Sequence, residues 1–213
     1  MKEFFDGASW ARDAVVAAQK QRSAQVLALL GLQVKEAHLL SEPVPESRVS
    51  DFERIHGCNL PYEYRSFLLQ VGEGGRGPGR EFRMLGTPYE DYESWEPGTF
   101  FGGRHEPNLR LDHPFPYIDA VPVDEEFVAD LHANPEKYIV DAADAGPFGI
   151  EGALYLFNRG GVVWDFLVMN GPCRGQVWAD RANDDGPTYP IQLDGTRVGF
   201  AQYYCAWLNG EVS

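Results

Sequence analysis

Cysteine is scarce in this chain: its 213 residues include only three, at Cys58, Cys173 and Cys205. An odd number of widely separated cysteines argues against a disulfide framework and against a zinc site built on CxxC pairs. We therefore predict three thiols, at least two of them buried. Long apolar runs are also missing from the first residues, MKEFFDGASW, which predicts neither a signal peptide nor a transmembrane helix. We expect a cytoplasmic protein that does not bind membranes.

Basic side chains are outnumbered, with 18 Lys and Arg against 32 Asp and Glu and a net charge of −14. Residues 86–150, called the acidic segment below, hold 3 basic and 14 acidic residues and so carry −11 of this charge. A negative surface repels the phosphates of nucleic acids, which makes nucleic acid an unsuitable direct ligand. Basic proteins are the natural partners, because opposite charges speed association. The alternative is that the charge serves only solubility.

Catalytic motifs are absent as well. The chain has neither a GxSxG turn nor an HExxH helix, and no cysteine and histidine stand at a spacing typical of catalysis. We therefore predict a protein that is not an enzyme and holds no cofactor or metal. One alternative stays open: His105, Glu106, Asp112 and His113 are residue types that metal-dependent hydrolases use, although their spacing fits no common ligand pattern.

A glycine-rich stretch, GEGGRGPGRE at residues 72–81, has some likeness to a phosphate-binding loop. It lacks the Lys-Ser/Thr pair of such loops, and it follows a predicted helix, whereas a phosphate-binding loop follows a strand. We predict instead a flexible connection between a helix and a strand.

Apolar residues at helical spacing predict three helices early in the chain, over residues 10–30, 46–57 and 61–72, with Ser9 as the N-cap of the first. A first strand is expected at residues 81–85.

The last third alternates between apolar and polar residues. This pattern predicts a hairpin over residues 154–168 that turns at Asn158 to Gly161, and then a strand at residues 176–179. An edge strand at residues 190–193 and a closing helix capped by Thr196 complete the order.

Several stretches resemble the SUKH superfamily, which includes the fungal cell-wall-synthesis regulator and many bacterial toxin-immunity proteins. SDFERIHGCNLPYEYRSFLLQVGEG, residues 50–74, is similar to its N-terminal signature: a Phe-Glu pair in a helix, a Gly, Leu-Pro, and an aromatic helix that ends in Gly. GGVVWDFLVMNGPCRGQVWAD and FAQYYCAWL are similar to its hairpin, its Gly-Pro-x-x-Gly turn, its Val-Trp strand and its closing helix. The acidic segment has no counterpart that we can match in detail.

The resemblance implies one α+β domain over residues 1–213, with a mainly antiparallel sheet and helices packed on it. In this interpretation residues 1–44 form an N-terminal helix and linker, and residues 45–85 and 150–209 form the family core. Residues 86–149 would be a long acidic loop insertion.

The resemblance also implies an immunity protein, which binds a co-encoded toxin and neutralises it by occlusion without catalysis. A basic toxin domain, for example a nuclease, fits the charge. We place the interface in the acidic segment, where acids steer the partner and aromatic residues anchor it. The candidate toxin-binding residues are Tyr92, Glu93, Trp95, Glu96, Asp124, Glu125 and Glu126. Tyr92 and Trp95 have an alternative role as a lid folded over the sheet, and the whole protein has an alternative role as a regulatory or scaffold module.

Overall fold

The computed structural model describes residues 2–35, 38–79, 81–82, 85, 110–121, 129, 133, 151–160, 163–181 and 187–212. Within these residues the chain is a mixed α+β protein. Its helices are α1 (Arg12–Leu29), α2 (Glu46–Ile55), α3 (Tyr62–Gln70) and α4 (Phe200–Asn209). Its strands are β1 (Glu81–Phe82), β2 (Ala153–Gly160), β3 (Val163–Val168), β4 (Val177–Asp180), β5 (Tyr189–Pro190), β6 (Gln192–Leu193) and β7 (Thr196–Arg197).

The main sheet is antiparallel throughout, with the strand order β1-β2-β3-β4-β5. The β2–β3 hairpin pairs Tyr155 with Phe166, and a bulge then brings Phe157 opposite Asp165. Because the bulge adds one residue, Leu156 and Phe157 both join the apolar cluster on the helical side of the sheet. The predicted hairpin is confirmed, but its turn is later than predicted, since β2 continues through Asn158 to Gly160.

The main core lies between this sheet and the helices. Phe200, the first residue of α4, is fully buried. Its ring centroid is 5.0 Å from that of Tyr64 and 5.2 Å from that of Phe67, both on α3, and 6.2 Å from that of Phe157 on β2. The helical predictions are thus confirmed, and α4 is buried on more sides than the single apolar face that its spacing predicts.

The residues before α1 also belong to the main core. Trp10 packs edge-on against Phe67, with ring centroids 4.9 Å apart, and its indole N–H donates to Ser66 Oγ at 3.1 Å. Ser9 does not cap α1, because its hydroxyl and its backbone N–H both bond to the carboxylate of Asp6. Helix α1 instead begins after Ala11 without a side-chain cap.

The cap predicted for the last helix is also wrong. Thr196 lies in β7, and α4 begins after Gly199. The backbone N–H of Ala201, in the first turn of α4, donates to Glu63 Oε2 at 2.9 Å. The negative charge at this helix N-terminus therefore comes from α3, a long-range partner that no local pattern reveals.

The glycine-rich stretch connects α3 to β1 as predicted, but it is largely buried, which a flexible connection in solvent would not be. Gly75 has φ +80°, and a Cβ there would lie 2.5 Å from the carbonyl oxygen of Leu39. The backbone N–H of Phe82 donates to Gly75 O at 2.7 Å. Glycine is needed here because another backbone segment fills the space that a side chain would take.

Candidate protein-binding surface

The described part of the acidic segment, Arg110–Val121, covers the sheet face opposite the helices. Phe115 is buried there, with its ring centroid 4.8 Å from that of Trp178 and 5.6 Å from that of Phe166. These rings form a second apolar cluster with Ala153, Val168 and Cys173. The middle of the acidic segment is therefore part of the core.

Both ends of Arg110–Val121 are bonded to the sheet. The carbonyl oxygen of Arg110 accepts a hydrogen bond from Gly152 N at 3.2 Å, and its guanidinium pairs with Glu151 at 3.1 Å. At the other end, Val121 and Thr188 exchange two backbone hydrogen bonds of 2.7 and 3.0 Å. Arg110 and Val121, the first and last residues of this range, therefore both have fixed positions.

The chain is also fixed just before the acidic segment, at Leu85. The buried carboxylate of Glu73 accepts from Leu85 N at 2.7 Å, and Arg48 donates to Leu85 O at 2.5 Å. Arg48 and Glu73 in turn form an ion pair. Both polar groups of the Leu85 backbone are therefore held by side chains, one from α2 and one from the buried glycine-rich stretch.

The residues held at Leu85, Arg110, Val121 and Glu151 divide the acidic segment into two further stretches. One comprises residues 86–109, and the other residues 122–150. Residues 86–109 have 1 basic and 5 acidic side chains, and residues 122–150 have 1 basic and 7. The predicted toxin-binding residues fall in both stretches and lie outside the described residues. Tyr92, Glu93, Trp95 and Glu96 belong to the first stretch, and Asp124, Glu125 and Glu126 to the second.

The candidate metal ligands are described only in part, since His105 and Glu106 lie outside the described residues. The other two form a hydrogen-bonded pair: Arg110 donates to Nε2 of His113, and Nδ1 of His113 lies 2.8 Å from Asp112 Oδ1. This hydrogen bond lowers the pKa of Asp112. Both ring nitrogens of His113 are occupied, so the ring as placed has no lone pair for a metal. Within the described ranges no three metal-ligating side chains cluster.

The three cysteines are free thiols in the structure, which agrees with the prediction from their number and spacing. Cys173 and Cys205 are buried, whereas Cys58 is half-buried. Burial raises the pKa of Cys58 to about 11 and that of Cys205 to about 12. At neutral pH these two thiols are therefore protonated and poorly nucleophilic.

The main polar feature that sequence reasoning missed is a cluster around Asp165 in the middle of β3. The Asp165 side chain is 0% exposed and accepts a hydrogen bond from the hydroxyl of Tyr203 on α4. Two arginines approach it, with Arg181 Nη2 at 3.4 Å and Arg159 Nε at 3.7 Å. The sequence does hold a signal for it, since an acid inside the apolar run VWDFLV must find partners if that strand is buried.

Burial raises the pKa of Asp165, against the opposing effects of Arg159, the Tyr203 hydrogen bond and Arg181. Burial and the neighbouring carboxylate also raise the pKa of Tyr203. Both arginine side chains are about one-fifth exposed, so they reach water from the edge of the cluster. Because the Asp165 carboxylate is buried and its partners are side chains of the fold itself, we assign the cluster a structural role.

Replacing Asp165 with Asn tests this assignment. When a folded-state pKa is raised, the unfolded chain ionises first, so wild-type stability falls as the pH rises through the folded-state pKa of Asp165. The Asp165→Asn variant has no carboxylate to ionise at this position and therefore does not lose stability in this way. We expect its free energy of unfolding, relative to wild type, to increase from about pH 4 towards neutrality, measured by urea unfolding at several pH values. The exposed Asp13→Asn variant is the control for the general effect of removing one carboxylate. A relative stability that decreases with pH would mean that the arginines outweigh burial.

In comparisons with known proteins, no family model, no curated protein and no solved structure matches the chain. In the part of the chain that the structure describes, no helix is both long and apolar enough to cross a membrane.

Proposed function

We propose that this protein binds a co-encoded, basic toxin domain and neutralises it by occlusion. The observation that carries the proposal is the acidic segment, which holds −11 of the net charge of −14 and is attached to the core at Leu85, Arg110, Val121 and Glu151. Attachment matters because it limits how far the acids can lie from the core, and complementary charge near an interface helps to orient a partner.

The attachment at Val121 also limits where the second group of predicted toxin-binding acids can lie. Asp124 follows Val121 by three residues, and an extended chain spans about 3.5 Å per residue. The Cα of Asp124 is therefore within about 11 Å of that of Val121. A partner that contacts Val121 would therefore be within reach of the first of these acids, whatever path the chain takes between them.

The resemblance of residues 50–74 and 160–180 to the SUKH superfamily supports the same proposal. A regulatory or scaffold module is the second candidate, because the fungal member of that group is a regulator. The two candidates differ in their partners: an immunity protein has one basic toxin, whereas a scaffold binds several unrelated host proteins. The experiment that tests the proposal is co-expression with the basic protein encoded beside it, with cell survival as the readout. Survival no better than with an empty vector would reject toxin neutralisation.

Charge reversal of the predicted interface tests where that partner docks. The variant changes Glu93, Glu96, Glu125 and Glu126 to Lys. Because long-range attraction sets the association rate, we expect the rate constant to fall about tenfold or more at low salt and its salt dependence to flatten. Stopped-flow binding of the partner at several salt concentrations measures both quantities.

A control with the same change in net charge separates local attraction from total charge. It reverses four exposed acids elsewhere on the surface: Glu3, Asp13, Asp51 and Glu211. We expect a clearly smaller fall in the association rate for this control. Equal falls in the two variants would place the interface outside the acidic segment.

A further inference from the structure

The described part of the acidic segment has an unusual outer side. From Pro114 to Ile118 the residues alternate between the core and solvent. Phe115 is buried and Tyr117 is half-buried, whereas Pro114, Pro116 and Ile118 are exposed and apolar. After the exposed Asp119 comes one more exposed apolar residue, Ala120, and the four residues Pro114, Pro116, Ile118 and Ala120 are called the apolar ridge below. Extended segments on a solvated surface normally present polar side chains outward, so this ridge requires an explanation.

Hydrogen bonds, a buried ring and two prolines hold the apolar ridge in place. Arg197 on β7 donates to the carbonyl oxygen of Ile118 and to Asp119 Oδ1, both at 2.6 Å. Phe115 is inserted into the second apolar cluster, and two prolines restrict the backbone. A surface that is already ordered loses little conformational entropy when a partner binds.

The residues around the ridge indicate the charge of its partner. Ile118 is 59% exposed and stands next to Asp119, whose side chain is 83% exposed. Asp112 is exposed near the Pro114 end of the ridge, and beyond the Ala120 end the chain continues into residues 122–150, which have 1 basic and 7 acidic side chains. An apolar centre with a charged rim is the usual composition of a protein interface. A second copy of this chain would bring another net charge of −14 against the first.

We propose that the apolar ridge is the anchor at which this protein docks a basic partner protein, with Ile118 as its central contact. The proposal rests on the partner class of the proposed function, but not on that partner being toxic. It adds a short-range contact, made by described residues, to the long-range attraction of the acids.

Site-specific crosslinking tests the location. Ile118→Cys carries a benzophenone label, and Ile55→Cys, at a 63% exposed isoleucine on α2, is the matched control. Labelling is selective because Cys173 and Cys205 are buried and the half-buried Cys58 is protonated at neutral pH. In lysate of the source cells we expect one discrete adduct with a basic protein from position 118 and none from position 55.

Binding of the crosslinked protein, once purified, tests the energetic role. We expect Ile118→Ser to weaken its affinity about tenfold or more, mainly through faster dissociation, and Ile55→Ser to change it less than about twofold. Both substitutions are on the surface, so unchanged urea unfolding midpoints should show that neither acts through the fold.

Each outcome decides the proposal. No adduct at position 118, the same adduct at both positions, an adduct with an acidic protein or a second copy, or equal affinities of the two Ser variants would overturn it. Toxicity of the crosslinked protein is a separate measurement. If the basic partner is harmless to cells, toxin neutralisation is rejected, but the ridge is still supported as the docking site.

Discussion

Replacing Phe200 with alanine is expected to lower the free energy of unfolding by about 3–5 kcal/mol. Phe200 is fully buried where α3, α4 and the sheet meet. Its ring is within 6.2 Å of aromatic rings from each of these elements. The neighbouring rings are rigid and belong to different elements, so the cavity cannot close easily and the loss approaches the upper end of the range.

Urea unfolding followed by tryptophan fluorescence measures this loss. Leu29→Ala is the control, because Leu29 is 87% exposed at the end of α1 and its removal should change stability by no more than about 0.5 kcal/mol. A loss below about 1.5 kcal/mol for Phe200→Ala would mean that the aromatic core is not packed as described.

Gly75→Ala is expected to be nearly as damaging, by about 2–5 kcal/mol, although it adds only one methyl group. Two penalties combine. The backbone has φ +80°, which disfavours any L side chain, and the new Cβ would meet the backbone of Leu39 at 2.5 Å. A backbone obstacle cannot rotate away, so the loop must shift, and with it the hydrogen bond that aligns Phe82 in β1.

The glycine in the β6–β7 turn separates these two penalties. Gly195 has φ +74°, but a Cβ there would meet nothing within 4 Å. Gly195→Ala should therefore cost only the backbone strain, about 1–2 kcal/mol. Thermal unfolding of both variants gives the comparison. Equal losses would show that the glycine-rich stretch is as loosely packed as the sequence predicts.

The elements that sequence reasoning found are those whose signal is local. Apolar spacing located α2, α3 and α4, and alternation located the β2–β3 hairpin, because each of these elements buries one side against the same core. The α+β class and the antiparallel sheet, which the resemblance implied and that order fits, are confirmed. The cap of the last helix failed for the opposite reason: the partner of Ala201 N is Glu63, which is 138 residues away. Ser9 failed as a cap for a local reason, since Asp6 binds its hydroxyl and its backbone N–H.

The same distinction applies to the candidate site. Counting charged residues was enough to locate the acidic segment, because the net charge of a segment depends only on its composition. It did not reveal that Arg110–Val121 would cover a sheet face, since Phe115 finds Trp178 and Phe166 only after the sheet has formed. Asp165 was overlooked because its partners Arg159, Arg181 and Tyr203 come from three different parts of the chain. The predicted contacts from Tyr92 to Glu126 stay predictions.

The attachments at Leu85, Arg110, Val121 and Glu151 have a consequence for how such a protein diversifies. The stretches 86–109 and 122–150 each start and stop beside a residue that the described structure holds, so a change in their length need not alter the pairing of the strands. Lengthening a loop costs little conformational entropy in general, about 0.6 kcal/mol for each doubling. A descendant can therefore acquire a new partner through substitutions, insertions or deletions in residues 86–109 and 122–150, while the rest of the fold stays unchanged.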